Sequence, residues 1–264
     1  AARELVHNFS LVHDDIQDGD RERRHRATLW TVWGKPRALL AGNAMRALAD
    51  MAVQRLARGK IPPEMGVLSS HALTQACLEM IEGQYLDLYF EGRMDVSIPD
   101  YLDMISRKTG ALIRCSMYVG ALLGRGDDQG AQAMSRCGQY LGLAFQIRDD
   151  YLGIWGHEEE TGKPTGNDIR KKKSSLPLVY ALERASAEER GRLTSIYAKD
   201  RTVEDCDVAS IMALLEELGA PEYVQGLAQE QAVRAHEALE GVELVPGARE
   251  ELHELVDFLL VRQS

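Results

Sequence analysis

An all-α fold, a bundle of helices, is what this sequence predicts, and three observations predict it. Apolar residues recur at helical spacing: Leu5, Phe9, Val12 and Ile16 form one stripe, Leu68, Leu73, Cys77 and Met80 a second, and Met212, Leu215 and Leu218 a third. Sustained alternation of the kind a half-buried strand needs is absent. Gly and Pro punctuate the chain at Gly34 to Pro36, Ile61 to Pro63, Gly124 to Gly130, Gly162 to Gly166, Gly219 to Pro221 and Val245 to Gly247, leaving about nine helical segments of ordinary globular length.

The 264 residues, 45% of them hydrophobic, suffice for one domain with a sizeable core. No fixed-period repeat, low-complexity tract or composition shift marks a second domain, so residues 1–264 read as a single one. The chain opens as if inside a helix, with neither Met nor a capping signal, and the expectation is that N-terminal helices are missing. The polar stretch Gly156 to Ser175 reads as a long surface loop. Acidic residues outnumber basic ones, 41 to 31, for a formal charge of -10, which argues against nucleic-acid or anionic-membrane partners. Cys77, Cys115, Cys137 and Cys206 form no CxxC pair, and reduced thiols in a cytoplasmic protein are expected. Uncharged stretches such as Cys115 to Gly124 are too short to span a bilayer.

Two aspartate clusters carry the chemistry. In Leu11-Val-His-Asp14-Asp15-Ile-Gln-Asp18, Asp14 and Asp18 lie one helical turn apart on one face, where like charges repel. A hard divalent cation on carboxylate oxygens resolves that conflict. A solvated acidic helix end explains it less well, because Leu11 and Val12 lead directly into the acids. The second cluster, Gln146-Ile-Arg-Asp149-Asp150, again ends an apolar helical run. Asp-Asp pairs are common singly. Two such helix ends facing across a bundle cavity would bind divalent ions, and these a multiply charged diphosphate. That also reconciles an acidic chain with an anionic substrate.

A cationic complement accompanies the acids. Arg21, Arg23, Arg24 and Arg26 crowd the segment after the first cluster, where guanidinium groups suit phosphate oxygens. Lys108-Thr109 interrupts the apolar stretch Met104 to Val119, and an anionic ligand is a reason for a lysine there. Lys163, Lys171, Lys172 and Lys173 would close over the site from the polar loop, although a solvated basic loop explains any one of them equally well.

Together these residues resemble the trans-prenyl diphosphate synthase (polyprenyl synthetase) family, most closely a geranylgeranyl diphosphate synthase. The resemblance runs from His7 to at least Pro177: Asp14-Asp15-x-x-Asp18 with Arg23-Arg24, Ala41-Gly42-Asn43-Ala44, Gly83-Gln84-x-x-Asp87-Leu88, Lys108-Thr109, Phe145-Gln146-x-x-Asp149-Asp150, and Gly162-Lys163 with Gly166-Asn167-Asp168 and Lys173. Their order and spacing are specific where each alone is modest.

The resemblance implies an isoprenoid synthase bundle of antiparallel helices around a central cavity, in a homodimer. It implies a transferase that joins isopentenyl diphosphate to an allylic diphosphate with three Mg²⁺ ions. Asp14 and Asp18 would bind two ions, with Asp15 in support, and Asp149 the third, with Asp150 nearby. Arg23, Lys108 and Lys163 would contact the allylic diphosphate, and His7 and Arg24 isopentenyl diphosphate. Thr109, Gln146 and Lys173 would flank the reacting carbons or leaving group. Phe9 and Ser10, five and four positions before Asp14, would form the floor for the growing chain, and a single aromatic at the former suits a C20 product. Phe9 as plain core is the default alternative.

Three departures from the family pattern stand out. Gly153 replaces a frequent third Asp, His25 replaces Gly after the Arg pair, and the Gly-Lys-x-x-Arg segment that helps bind isopentenyl diphosphate has no match. Competing readings are a class I terpene cyclase, a synthase of C15 or longer product, a non-catalytic subunit and a helical interaction protein. The cyclase should carry an Asn/Asp-Asp-x-x-Ser/Thr-x-x-x-Glu motif, whose nearest stretch, Asn167 to Lys171, lacks the hydroxyl residue.

Overall fold

The computed structural model describes residues 1–59, 61–125, 127–161, 164–198, 202–245 and 247–261. α1 (Ala2–Gln17) leads through a minimal hairpin, β1 (Glu22–Arg23) and β2 (Arg26–Ala27), into α2 (Leu29–Trp33) and α3 (Lys35–Gln54). A 3₁₀ turn (Arg55–Arg58) precedes the long α4 (Pro63–Phe90). α5 (Ile98–Ile105), a π-helical turn (Ser106–Gly110) and α6 (Ala111–Arg125) follow as one bent run into the second long helix, α7 (Asp128–Trp155). The short α8 (Glu158–Thr161) and α9 (Asn167–Arg170) precede α10 (Leu176–Arg184), α11 (Ala187–Tyr197), α12 (Asp205–Glu217), α13 (Ala220–Leu239) and α14 (Ala248–Val261). The fold is all-α as expected, but more finely divided than Gly/Pro punctuation suggests, because single turns such as α8 and α9 are too short to show periodicity.

Side chains define several helix starts. Ser97 accepts from the Asp100 N–H at 3.2 Å and Asp127 from the Gly130 N–H at 2.6 Å, and Ser186 with Glu189 closes a capping box on α11. α7, 28 residues and so about 42 Å long, is the central post, packed against α6, α13, α14, α10 and the π-helical turn. One apolar cluster joins α1, α3, α4 and α6 through Val6, Phe9, Val53, Leu73, Cys77, Met80, Leu112 and Cys115. Another joins α5, α7, α10 and α13 through Tyr101, Met104, Ile147, Leu176 and Val224. The two meet at the π-helical turn, and glycines let the helices approach it. A Cβ on Gly83 of α4 would stand 2.7 Å from Lys108 Cα, and one on Gly142 of α7 would stand 2.5 Å from Gly110 Cα. The turn carrying Lys108 and Thr109 is thus clamped between the helices that carry Asp87 and Asp149.

The described part of Gly156 to Ser175 is a surface segment only in part: His157, Glu158, Glu159, Pro164, Thr165, Lys171 and Lys173 are exposed, as expected. Gly156, Gly166, Asp168, Ile169 and Ser175 are buried, and Ile169 joins the core between α7 and α12. Of the described charged residues here, Asp168 alone turns fully inward.

Candidate active site

The C-terminal turns of α1 form one wall. Asp14 is largely enclosed. Burial pushes its carboxyl up to about 6; Lys108 opposes that, while the charges of Asp18 and Asp87 add to it. Asp18 is raised for the same first reason. Burial would lower the Lys108 ammonium, but Asp87, Asp14 and Asp18 outweigh it and the net shift is upward. Lys108 Nζ reaches Asp87 Oδ2 at 2.5 Å. Asp87 therefore sits inside the acidic cluster, a role its place in the Gly-Gln motif did not reveal.

Adjacent residues on a helix point about 100° apart, and both Asp-Asp pairs divide accordingly. Asp15 is buried and accepts from Arg23 Nε at 2.7 Å, tying the hairpin to α1. Arg24 and His25 form the hairpin turn with φ of 51° and 59°, the left-handed conformation that glycine adopts without strain. His25 thus keeps the turn at the cost of strain. His7 has its pKa lowered by burial and by Arg3, with Arg24 and Arg23 contributing, which marks a cationic patch beside α1.

α7 and the segment after it form the opposite wall. Asp149 lies half-buried, and its charge acts on Lys173. Lys173 is reached by solvent yet surrounded by acids: Asp168 first, with Asp149, Asp150 and Asp87, holds its ammonium well above the usual lysine value. Asp150 turns away from the cleft. It is 4% exposed and accepts from Tyr101 Oη at 2.5 Å, Gln146 Nε2 at 3.1 Å and the Leu176 N–H at 3.1 Å. Burial raises its carboxyl to about 7 despite these donors. Asp150 thereby fastens α7 to α5 and α10. Gln146 Oε1 in turn accepts from Thr109 Oγ1 at 2.7 Å. Across the mouth, Lys171 of one wall pairs with Asp20 of the other at 2.8 Å.

Phe9 is buried, edge-on to His13 with centroids 4.7 Å apart. Ser10 donates to its own helix at the His7 carbonyl, 2.7 Å away. Lys163 and Gly162 lie outside the described residues. Sequence reasoning missed Asp87, Tyr101 and, as a site residue, Asp168. Asp87 and Asp168 had a local signal, their places in the Gly83-Gln84 and Gly166-Asn167 motifs, whereas Tyr101 had none. Among the described residues, no three His, Cys, Asp or Glu side chains converge on one metal position. The first wall offers a carboxylate pair, which suits an ion completed by water and a bound diphosphate. None of the described helices is long and apolar enough to cross a membrane.

The polyprenyl synthetase family model matches residues 1–215. The short chain isoprenyl diphosphate synthase of Methanothermobacter thermautotrophicus is 41% identical over 263 residues, covering 100% of this chain and 78% of the relative. The (2E,6E)-farnesyl diphosphate synthase of Mycobacterium tuberculosis is 37% identical over 265 aligned positions, covering 99% and 72%. The crystal structure of geranylgeranyl pyrophosphate synthetase from Pyrococcus horikoshii superposes with a TM-score of 0.92 at 39% identity, covering 99% of this chain and 78% of that one. The chain belongs to the polyprenyl synthetase family and is a prenyltransferase.

Proposed function

We propose that this prenyltransferase condenses isopentenyl diphosphate with an allylic diphosphate to give geranylgeranyl diphosphate, using Mg²⁺ held by Asp14 and Asp18 on one wall and Asp149 on the other. The observation that carries the metal half is the Asp14 carboxyl, pushed up to about 6 by burial and by the charges of Asp18 and Asp87. Such a pair is poorly satisfied by protein alone, and a divalent cation would satisfy it. Three ions are the number that two walls and a diphosphate would share.

When bound, magnesium supplies charge stabilisation to the departing diphosphate. Lys108 and Lys173 bring cations to the same cleft from opposite walls, with Lys163 assigned there by family pattern. Asp87 holds Lys108 by their ion pair, so its ammonium reaches substrate oxygens without reorganising. His7, Arg23 and Arg24 are assigned to isopentenyl diphosphate and the allylic headgroup, and the cationic patch around His7 supports this. Thr109 and Gln146 face the reacting carbons. No protein nucleophile is required, and the buried Cys77, Cys115 and Cys137 take no part.

Product length rests on Phe9. It lies five residues, about 7.5 Å along the helix, before Asp14, and Val6, Leu73, Cys77 and Cys115 share its cluster. A C15 product is the second reading, favoured by identity to the farnesyl synthase.

Residues 1–264 are read as one polyprenyl synthetase domain in a cytoplasmic homodimer. The exposed apolar stripes Leu40, Leu48 and Met51 on α3 and Leu78, Ile81, Tyr85 and Tyr89 on α4 support a self-complementary contact. Calorimetric titration of Mg²⁺ with a non-hydrolysable allylic diphosphate analogue tests the metal assignment. Binding should be Mg²⁺-dependent and lost in Asp14→Asn, and undiminished binding in that variant would reject it.

A further inference from the structure

Four side chains from three elements form a continuous chain of hydrogen bonds. Thr109 Oγ1 of the π-helical turn donates to Gln146 Oε1 at 2.7 Å, and Gln146 Nε2 donates to Asp150 Oδ1 at 3.1 Å. Asp150 Oδ2 accepts from Tyr101 Oη at 2.5 Å and from the Leu176 N–H at 3.1 Å. Tyr101, on α5, is 3% exposed and lies behind the wall, out of reach of substrate. The direction of each bond follows from what the groups can do. The Leu176 N–H is a donor only, so Oδ2 must accept. In its ionised form Asp150 takes the Gln146 amide N–H₂, the direction observed here, which leaves the amide oxygen facing Thr109. Thr109 must then donate its one proton to Gln146, and its remaining lone pairs are what the hydroxyl presents elsewhere.

We propose that Tyr101 and Asp150 are positioning residues that set the hydrogen-bond polarity of Thr109, committing its proton to Gln146 so that it offers the cleft an electron-rich oxygen and not an O–H. An electron-rich oxygen is the useful polarity beside an allylic carbon that gains positive charge as its C–O bond breaks, and a donor there would oppose that charge. Gln146 is the switchable link, because its amide can rotate end for end. Tyr101 biases it by occupying and orienting the carboxylate from behind. The inference rests on the reading that Thr109 faces the reacting carbons.

A double-mutant cycle on kcat tests it. Thr109→Val alone should lower kcat, and an unchanged kcat overturns the reading of Thr109 and the proposal with it. Tyr101→Phe, which keeps the ring, should lower kcat about tenfold while both KM values stay within about twofold, and this loss should shrink to about twofold or less in the Thr109→Val background. Full multiplication of the two effects, or an unchanged kcat in Tyr101→Phe with a lowered one in Thr109→Val, overturns the relay and leaves the role of Thr109 intact. Asp150→Asn serves where Tyr101→Phe folds poorly. Its amide must keep the oxygen towards Leu176 and turn N–H₂ towards Gln146, which inverts Gln146 and thus Thr109. Its kcat loss should likewise collapse in the Thr109→Val background, with persistence of the loss counting against the relay. Thr109→Ser, which preserves the hydroxyl, should retain the full sensitivity to Tyr101→Phe, and insensitivity would contradict the proposal.

Discussion

The carboxylate of Asp168 occupies the space that a side chain on Gly153 would need. A Cβ built on Gly153 would stand 2.6 Å from Asp168 Cγ, inside any normal contact. The position where the family often carries a third aspartate is therefore not an empty place on the wall. Asp168, 7% exposed and the first cause of the raised Lys173, brings a carboxylate there from α9.

Gly153→Asp, which rebuilds the common family pattern, is accordingly expected to destabilise the fold by about 1–3 kcal/mol through overpacking and to lower kcat/KM by displacing Asp168. The exchange Gly153→Asp with Asp168→Gly should recover part of that loss. Steady-state rates of the three proteins decide the matter, and a Gly153→Asp variant as active as the parent would show that Asp168 moves aside freely.

The hairpin turn stores strain that glycine would release. With φ of 59°, His25 sits where a side-chain-bearing residue costs about 1–2 kcal/mol. Glycine also loses more chain entropy on folding, so the expected net gain for His25→Gly is about 1 kcal/mol. A denaturant midpoint that rises with an unchanged slope is the predicted readout, and an equal or lower midpoint would mean that His25 makes a compensating contact.

Much of this site was legible in the sequence because its signal is local. Asp14 and Asp18 are one turn apart, and the Lys108-Thr109 interruption stands out in an apolar run. Other parts depend on which way a residue faces across long-range packing. Adjacent aspartates at 149 and 150 look alike in sequence, yet one faces the cleft and the other meets Tyr101, a residue 49 positions away. Asp168 reads as solvated loop because inward-turned charge is indistinguishable by composition from outward-turned charge. The clamping of Lys108 by Gly83 and Gly142 needs three elements in space, and no single spacing encodes it.

Protons should compete with magnesium at Asp14. Its carboxyl is raised from 3.8 to about 6 in the fold, so the metal-free folded state holds that proton more tightly than the unfolded chain does. The resulting contribution to metal-free stability is present below about pH 4 and is lost as pH rises through about 6. A bound ion requires the ionised form. Mg²⁺ affinity should therefore rise from pH 5 to pH 7, with proton release near pH 5.5. Calorimetry in buffers of different ionisation enthalpy reads the released protons, and a pH-independent affinity would contradict the prediction.

Removing the ring at Phe9 opens the cluster below the first wall. Phe9→Ala should shift the main product upward by at least one C5 unit, at a stability cost of about 3–5 kcal/mol for a buried aromatic. Chromatographic sizing of the dephosphorylated prenols checks this. Unchanged product length in a folded variant would return Phe9 to a plain core role and locate the floor elsewhere.

The measurement that tests the central claim most directly is incubation of the full-length protein with Mg²⁺, labelled isopentenyl diphosphate and allylic diphosphates of C5, C10 and C15, followed by product sizing. The account predicts Mg²⁺-dependent elongation of these starters that ends at C20. Label that stays in isopentenyl diphosphate, or an allylic substrate turned only into cyclised or hydrolysed product, would contradict it.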